Sequence, residues 1–484
     1  MVVRAGKLVP RFATEAETRT HRIVVGASGS GKSMCLMAEI AWLLRNTKDK
    51  VCWLDCAKGE GVDLAIKTTT ALAEMGVHLA PDDVGVVRPF RDQLVPLNLA
   101  RLDHAVVAPD IIPSLLTQQI KALVGDASFG PRMELAAAHV GEIVIGLGCG
   151  GASTMLRLLT DADYAEQASW KLEDEELRSK CARLHTAHPK ASLAAIAARI
   201  ALALRTRSVR AMLDADSCIS PADLIAKRVT VIDLSGPPFG AHAVGESLAR
   251  TLMDLVLLAC LGRRSQSSRL HLLVDEAQAA VNGEGLGVLL SQVRWKKVTV
   301  TLASQSAPLL EAAGIGPSLD ANITRAVYLN PDVHALAMLK KAGALPEPTG
   351  RRRHPSEPRL LSKVEEASAN ERRVLELGVR QGIYVNYAAG GASRTEIIAR
   401  TIDFPIEKVE TLVQRSAQAE SFARGTLAMS VENLEARRSD PTFDGENSRD
   451  EVSNEEAAAA EAAPKKRRKR KRGPVLILPT GEEA

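Results

Sequence analysis

Residues 21–33 read HRIVVGASGSGKS, and the fold follows from how this stretch is read. His21–Gly26 is a short, β-branched apolar run that stops at a glycine, the mark of a strand buried on both faces. Gly26, Ala27, Ser28, Gly29, Ser30, Gly31, Lys32 and Ser33 then match GxxxxGK[ST]. Such a loop needs a strand before it and a helix after it to mean anything. A helix does follow: Met34, Leu36, Met37, Ile40, Ala41, Leu43 and Leu44 make a broad apolar face over 31–46. In this setting glycines let the backbone wrap closely and turn its N–H groups toward phosphate oxygens. Lys32 is expected to reach the β- and γ-phosphates of ATP, and the Ser33 hydroxyl to ligate Mg²⁺.

A second buried strand, VCWLD at Val51–Asp55, completes a strand–helix–strand unit with parallel strands. Further along, Val229–Leu234, Leu270–Asp275, Val298–Ala303 and Arg325–Leu329 are short apolar runs, with helical spacing at 243–262 and 285–296 between the first three. That alternation predicts an α/β protein with an open, mostly parallel sheet covered on both faces. Between 105 and 226 strand-like runs are rare and helical periodicity dominates, so this stretch reads as an all-helical insertion. The expected organisation is an N-terminal extension (1–20), a core in two parts (21–104 and 227–400), a C-terminal helix (401–424) and a tail (425–484). Gly382–Asn386 and Thr395–Ala399 are expected to pair as late strands.

A phosphate-binding loop needs an acidic partner at the end of a nearby strand. Leu270–Asp275 supplies one, with Asp275 placed to hold the Mg²⁺ shell and Glu276 placed to polarise an attacking water. Asp233, at the end of VTVID, is the rival, but no second acid follows it. Gln305, in TLASQS, ends another strand and faces the same edge, where it can sense a γ-phosphate or orient water. Asp55, Lys58, Gly59 and Glu60 (DCAKGE) also follow a strand at that edge.

The 484 residues are 46% hydrophobic and 25% charged, an ordinary globular balance. Only 15 are aromatic, which argues against a base-stacking platform. The net charge of +4 is unevenly spread: residues 465–472 read KKRRKRKR, while 425–464 hold three basic and ten acidic side chains. The octet reads as a nucleic-acid-binding arm, a nuclear localisation signal or a solvated spacer, the arm being favoured. The tail's composition predicts disorder. Seven scattered cysteines without a CxxC pair read as reduced thiols of a cytoplasmic protein. No apolar run reaches the roughly 18–20 residues of a membrane span, and the N-terminus lacks a signal-peptide stretch. Cys181, His185 and His188 share a helical face, but no fourth metal ligand is evident.

The order of these elements resembles the HerA–FtsK superfamily of hexameric DNA-pumping ATPases: the glycine-lysine loop, DxxKGE, a helical insertion, VIDLSG, LLVDEAQ and LASQS. Within it, the resemblance is to conjugative coupling proteins of the TraG/TraD type, over roughly 21–340. It implies a RecA-like fold, a homo-hexamer, DNA as the moved substrate and secretion or relaxosome-type partners. It also implies an arginine finger between the acidic pair and the glutamine, reaching the neighbouring subunit's γ-phosphate. Arg294 fits that place, with Arg325 second. Membrane-bound members carry N-terminal transmembrane helices, whereas 25 residues precede Gly26 here, a layout closer to a soluble translocase or to a coupling protein that has lost its anchor. A related motor for protein substrates and a non-enzymatic nucleotide-dependent scaffold are the alternatives.

Overall fold

The computed structural model describes residues within 2–398, with breaks of which the longest are 10–16, 89–93, 236–241, 280–289, 315–321 and 387–393. The helix expected at 401–424 and the tail with its basic octet lie outside the described residues.

The chain begins with two short strands, β1 (Val2–Arg4) and β2 (Lys7–Val9). β3 (Arg22–Val25), α1 (Lys32–Asn46), β4 (Lys50–Asp55), α2 (Gly61–Glu74) and β5 (Val84–Val87) follow. A helical segment holds α3 (Ile111–Val124), α4 (Pro131–Gly146), α5 (Ala152–Thr160) and α6 (Ala162–Ser169). It continues with α7 (Glu175–Ala182), α8 (Leu184–Ala187), α9 (Lys190–Leu204) and α10 (Arg207–Leu213). The sheet resumes with β6 (Val229–Asp233), α11 (His242–Gly262), β7 (Leu270–Asp275), β8 (Val298–Ser304), α12 (Ala307–Ala312) and β9 (Arg325–Leu329). α13 (Val333–Lys341), α14 (Lys363–Leu375), β10 (Gly382–Asn386) and β11 (Arg394–Ile398) close the described chain.

The eleven strands among the described residues form one sheet in the order β2-β1-β11-β10-β9-β3-β8-β7-β4-β6-β5. From β9 to β5 every neighbouring pair is parallel. Parallel strands covered by helices have no solvated face, so their sequences run apolar without alternation. β3, β6, β7, β8 and β9 are accordingly buried at every position. The remaining strands join antiparallel, β10 against β9 and β11 against β10. Here the second late strand is Arg394–Ile398, one residue ahead of the expected Thr395–Ala399.

The central layer packs Leu36, Met37, Ile40, Leu43 and Leu44 of α1 with Trp53, Val231 and Leu273 of the sheet. One buried ion pair crosses it, Arg22 with Glu39 of α1. The α10 end returns close to where the helical segment started: Leu97 bridges Cys218, and Ile219 N–H donates to Pro96 O (2.8 Å). Buried Asn98 secures this neck by donating to Gly150 O (2.9 Å) and Ala215 O (2.8 Å). The segment leans on the core through α3 and α11, where Ser247 donates to Gln119 O (3.0 Å) and Gln119 to Thr251 Oγ1 (3.2 Å). The six described cysteines outside the breaks are free thiols. No helix among the described residues is long and apolar enough to cross a membrane.

Candidate nucleotide site

The chain leaves β3 into the glycine-lysine loop with Gly26 N–H donating to Ser304 O of β8 (3.2 Å). A side chain at Gly26 would bring its Cβ 2.5 Å from Leu329 O and 2.6 Å from Ser30 Oγ. Only glycine therefore lets the loop start this close to the end of β9. Gly29 (φ 75°) and Gly31 (φ 101°) take left-handed conformations that fold the loop over onto the start of α1. Helix geometry leaves the first N–H groups of α1 without intrahelical acceptors, and the helix dipole makes that end electropositive. Lys32 is 3% exposed, and its Nζ donates to Gly26 O (2.7 Å) and Ala27 O (3.2 Å) within the loop.

β7 lies one strand beyond β8, and its carboxyl end delivers the acidic pair to this loop. Ser33 Oγ donates to Asp275 Oδ2 (3.3 Å). Lys32 Nζ stands 3.8 Å from Glu276 Oε1. Glu276 has a left-handed backbone (φ 55°), an unfavourable state for a bulky residue. Its N–H caps the Asp275 carboxylate (3.1 Å), which turns its own side chain back over the loop. Gln305, just past β8, donates to Glu276 Oε1 (3.3 Å), and Gln278 donates to Oε2 (2.7 Å). Lys32, Ser33, Asp275, Glu276 and Gln305 thus meet at one edge, although up to 273 positions separate them in the chain. Gln278 is the member that sequence reading missed; its signal was the Gln two residues after the acid in DEAQ.

Asp233 does not join them. β4 stands between β6 and β7, with Asp55 in register between Asp233 and Asp275. The Asp233 carboxylate accepts from the Ser235 N–H (3.0 Å) and hydroxyl and lies 3.8 Å from Arg88 Nε. Asp55 Oδ2 accepts from Gly61 N–H (2.7 Å), which fixes the start of α2. Lys58 and Glu60 of the DCAKGE run lie outside the described residues. Cys56 is wedged between the two acidic strand ends, its N–H donating to Asp275 O (3.2 Å). Burial first, then the charges of Asp55, Asp275 and Glu276, push its thiol pKa well up, so it stays protonated.

The two arginines sit elsewhere. Of the helix expected over 285–296, residues 285–289 lie outside the described residues and only 290–292 are helical; the chain then bends at 293 and turns, and Arg294 lies in that turn, exposed, just before β8. That is the amino edge of the parallel strands, opposite the nucleotide loop of the same chain. Arg325 is 1% exposed, and its guanidinium donates to Thr20 Oγ1 (2.8 Å) and Thr20 O (2.8 Å). A side chain so enclosed cannot extend to a neighbouring subunit, which removes it as a candidate. Cys181, His185 and His188 diverge: Cys181 donates to Ala165 O, His185 bonds Leu158 O, and His188 shares a hydrogen bond with His139 (2.9 Å). The described residues contain no group of three or more metal-ligating side chains.

No protein-family model matches the chain, and no curated protein matches its sequence. Solved structures do match. Against the plasmid coupling protein TrwB in complex with ADP and Mg²⁺, the TM-score is 0.50 at 15% identity, over 83% of this chain and 90% of that one. The fold is similar to that of TrwB. The likeness is equal for TrwB with the non-hydrolysable ATP analogue ADPNP (TM-score 0.50, 15% identity, 81% and 87% covered). It holds again for TrwB with the GTP analogue GDPNP (0.50, 16%, 81% and 87%). This is the RecA-like P-loop architecture, with a helical segment inserted and an antiparallel flank added.

Proposed function

We propose that the chain is an ATPase that binds Mg²⁺-ATP at the carboxyl edge of its sheet, hydrolyses it at subunit interfaces of a hexameric ring, and so moves DNA. The observation that carries the reading is the meeting of Lys32, Ser33, Asp275, Glu276 and Gln305 around the loop. The residues fit the metal and the triphosphate. Glycines 26, 29 and 31 let the loop backbone approach closely and turn left-handed at 29 and 31, and a hydroxyl faces a carboxylate across 3.3 Å, a hard oxygen pair suited to Mg²⁺. Bound there through Ser33 and Asp275, Mg²⁺ supplies charge neutralisation of the phosphates.

The protein's own groups do the rest. Backbone N–H groups of the loop and α1 hold the phosphates. Lys32 exchanges the Gly26 and Ala27 carbonyls and Glu276 for phosphate oxygens. Glu276 takes the proton of the attacking water, and its strained turn with two amide donors keeps the carboxylate from rotating away. Gln305, bonded to the same carboxylate, reports on the γ-phosphate. Arg294, at the opposite edge, serves the site of an adjacent copy, where its planar fork offsets transition-state charge. TrwB is a plasmid conjugative coupling protein, and that likeness supports DNA as the moved substrate and secretion or relaxosome-type proteins as partners.

The test is steady-state phosphate release with no DNA, single-stranded DNA or double-stranded DNA, with oligomer mass measured alongside. Turnover stimulated by DNA in a six-subunit species is expected. Turnover indifferent to both DNAs would point to a motor for protein substrates. Binding without turnover would reduce the chain to a nucleotide-dependent scaffold.

A further inference from the structure

Four non-glycine residues among those described have positive φ: Glu276, Lys297, Asn330 and Arg380. Left-handed backbone costs an L-residue about 1–2 kcal/mol and gathers where function requires it. Glu276 already belongs to the site. Asn330 and Arg380 belong to one small assembly on the other flank of the same loop.

β9 follows β3 on the side away from β8 and β7, and β10 lies beyond β9. β10 is antiparallel, so its first residue, Gly382, pairs with the last of β9, Leu329. The turn that leads into β10 therefore stands at the same sheet edge as the nucleotide loop. Its closure is internal: Gln381 N–H donates to Gly378 O (3.0 Å), and Gly378 N–H to Gln381 Oε1 (2.9 Å). It is also tied on two sides. Asn330 N–H donates to Gln381 O (2.8 Å), and Arg380 N–H donates to Ser30 O inside the glycine-lysine loop (3.1 Å). Arg380, part-exposed, is thus held with its main chain against the loop at φ 64°. Glycine would adopt that backbone without cost, yet the residue here carries a guanidinium.

The three phosphates of a nucleotide form a roughly linear run. With the terminal phosphate among Ser33, Asp275, Glu276 and Gln305, toward β8 and β7, the nucleoside lies toward the opposite flank. That flank is where Asn330, Gly378 and Arg380 stand. We infer that the 378–381 turn is the nucleoside-side wall of the site and that Arg380 is a specificity-determining residue that contacts the base or ribose in cis. A planar guanidinium stacks on a purine and hydrogen-bonds ribose hydroxyls, which an ammonium does less well. The inference rests on the nucleotide reading above and assigns to Arg380 a part distinct from those of Lys32 and Arg294.

The experiment is calorimetric binding of ADP, ADPNP and inorganic triphosphate to the full chain and to Arg380→Gly and Arg380→Lys. Glycine keeps the N–H bond to Ser30 and relieves the backbone, so folding is preserved; a thermal melt checks this. R380G is expected to bind ADP and ADPNP about tenfold more weakly, by the same factor, and inorganic triphosphate like the parent. R380K should fall between, and with ATP the KM should rise while kcat at saturation holds. Unchanged ADP and ADPNP affinity in R380G would overturn the inference. So would an equal loss for inorganic triphosphate, which would make Arg380 a phosphate ligand or a prop for the loop. A parent chain that binds none of the three would sink the nucleotide reading itself, and this inference with it.

Discussion

Replacing Glu276 by glutamine separates holding a nucleotide from splitting it. The side chain is isosteric and 2% or less exposed, so packing hardly changes, but a buried charge opposite Lys32 is lost. Breaking a buried ion pair outright costs about 3–5 kcal/mol. Here the separation is 3.8 Å and Lys32 retains carbonyl acceptors at 2.7 and 3.2 Å, which keeps the loss to about 2 kcal/mol without nucleotide. At roughly 2–4 °C per kcal/mol for a sizeable domain, the melting temperature should fall several degrees. Mg²⁺-ADPNP should restore most of it, because phosphate oxygens then face Lys32 and the carboxylate is no longer its partner. Turnover should drop by about 10²–10⁴, the usual worth of a positioned general base. The assay pairs thermal melts, with and without Mg²⁺-ADPNP, with single-turnover hydrolysis. Parental turnover by E276Q would refute the base assignment, and loss of nucleotide binding in step with hydrolysis would refute the separation of roles.

Three further outcomes are expected. His21 accepts from Val300 N–H (3.0 Å) through Nδ1, and burial, then the charge of Arg294, pushes its pKa down to about 4. The unfolded chain binds that proton first, so this stability is whole above the unfolded pKa near 6.5 and fades as pH falls toward 4, by at most about 3 kcal/mol. His21→Asn should flatten that acid limb in urea denaturation series, and an unaltered pH dependence would count against it. Gly26→Ala should cost about 1–3 kcal/mol and abolish nucleotide binding, since its Cβ would meet a backbone oxygen at 2.5 Å. Gly29→Ala has open space around it and should cost only the left-handed backbone strain, about 1 kcal/mol; the reverse order in denaturation midpoints would discredit the close-approach argument. Arg294→Ala should keep nucleotide affinity but lose turnover, and mixing it with Lys32→Ala should recover activity through composite interfaces. Mixtures as inactive as their components would rule out a role in trans.

The parallel core was legible because strands buried on both faces write unbroken apolar runs, as in VTVID and LHLLVD. The site was legible for a related reason: in such a sheet every strand ends at one edge, so residues closing successive runs must meet. Asp275 and Gln305 were found this way, and Asp233 was not excluded this way, because a strand's neighbours are not written in its sequence. β4 intervening between β6 and β7 decided that point. β1, β2 and β5 escaped notice since three or four residues, one of them glycine in β5, are too few to show a period. The left-handed backbone of Glu276 and Arg380 left no trace in residue type, as neither is a glycine. Arg325 looked available in the sequence and is enclosed by Thr20, a contact across 305 positions that no local pattern encodes.

The carboxyl end of β9 is pinched between two glycines. Gly26 approaches Leu329 O from the loop, and Gly382 sits so close to Tyr328 O that a Cβ there would come within 2.2 Å. Neither side leaves room for a side chain, so the phosphate loop and the antiparallel flank meet backbone to backbone across the end of β9. The helical segment is joined to the core at a two-stranded neck at 96–97 and 218–219 and again where α3 packs on α11, so it is held at two places rather than one.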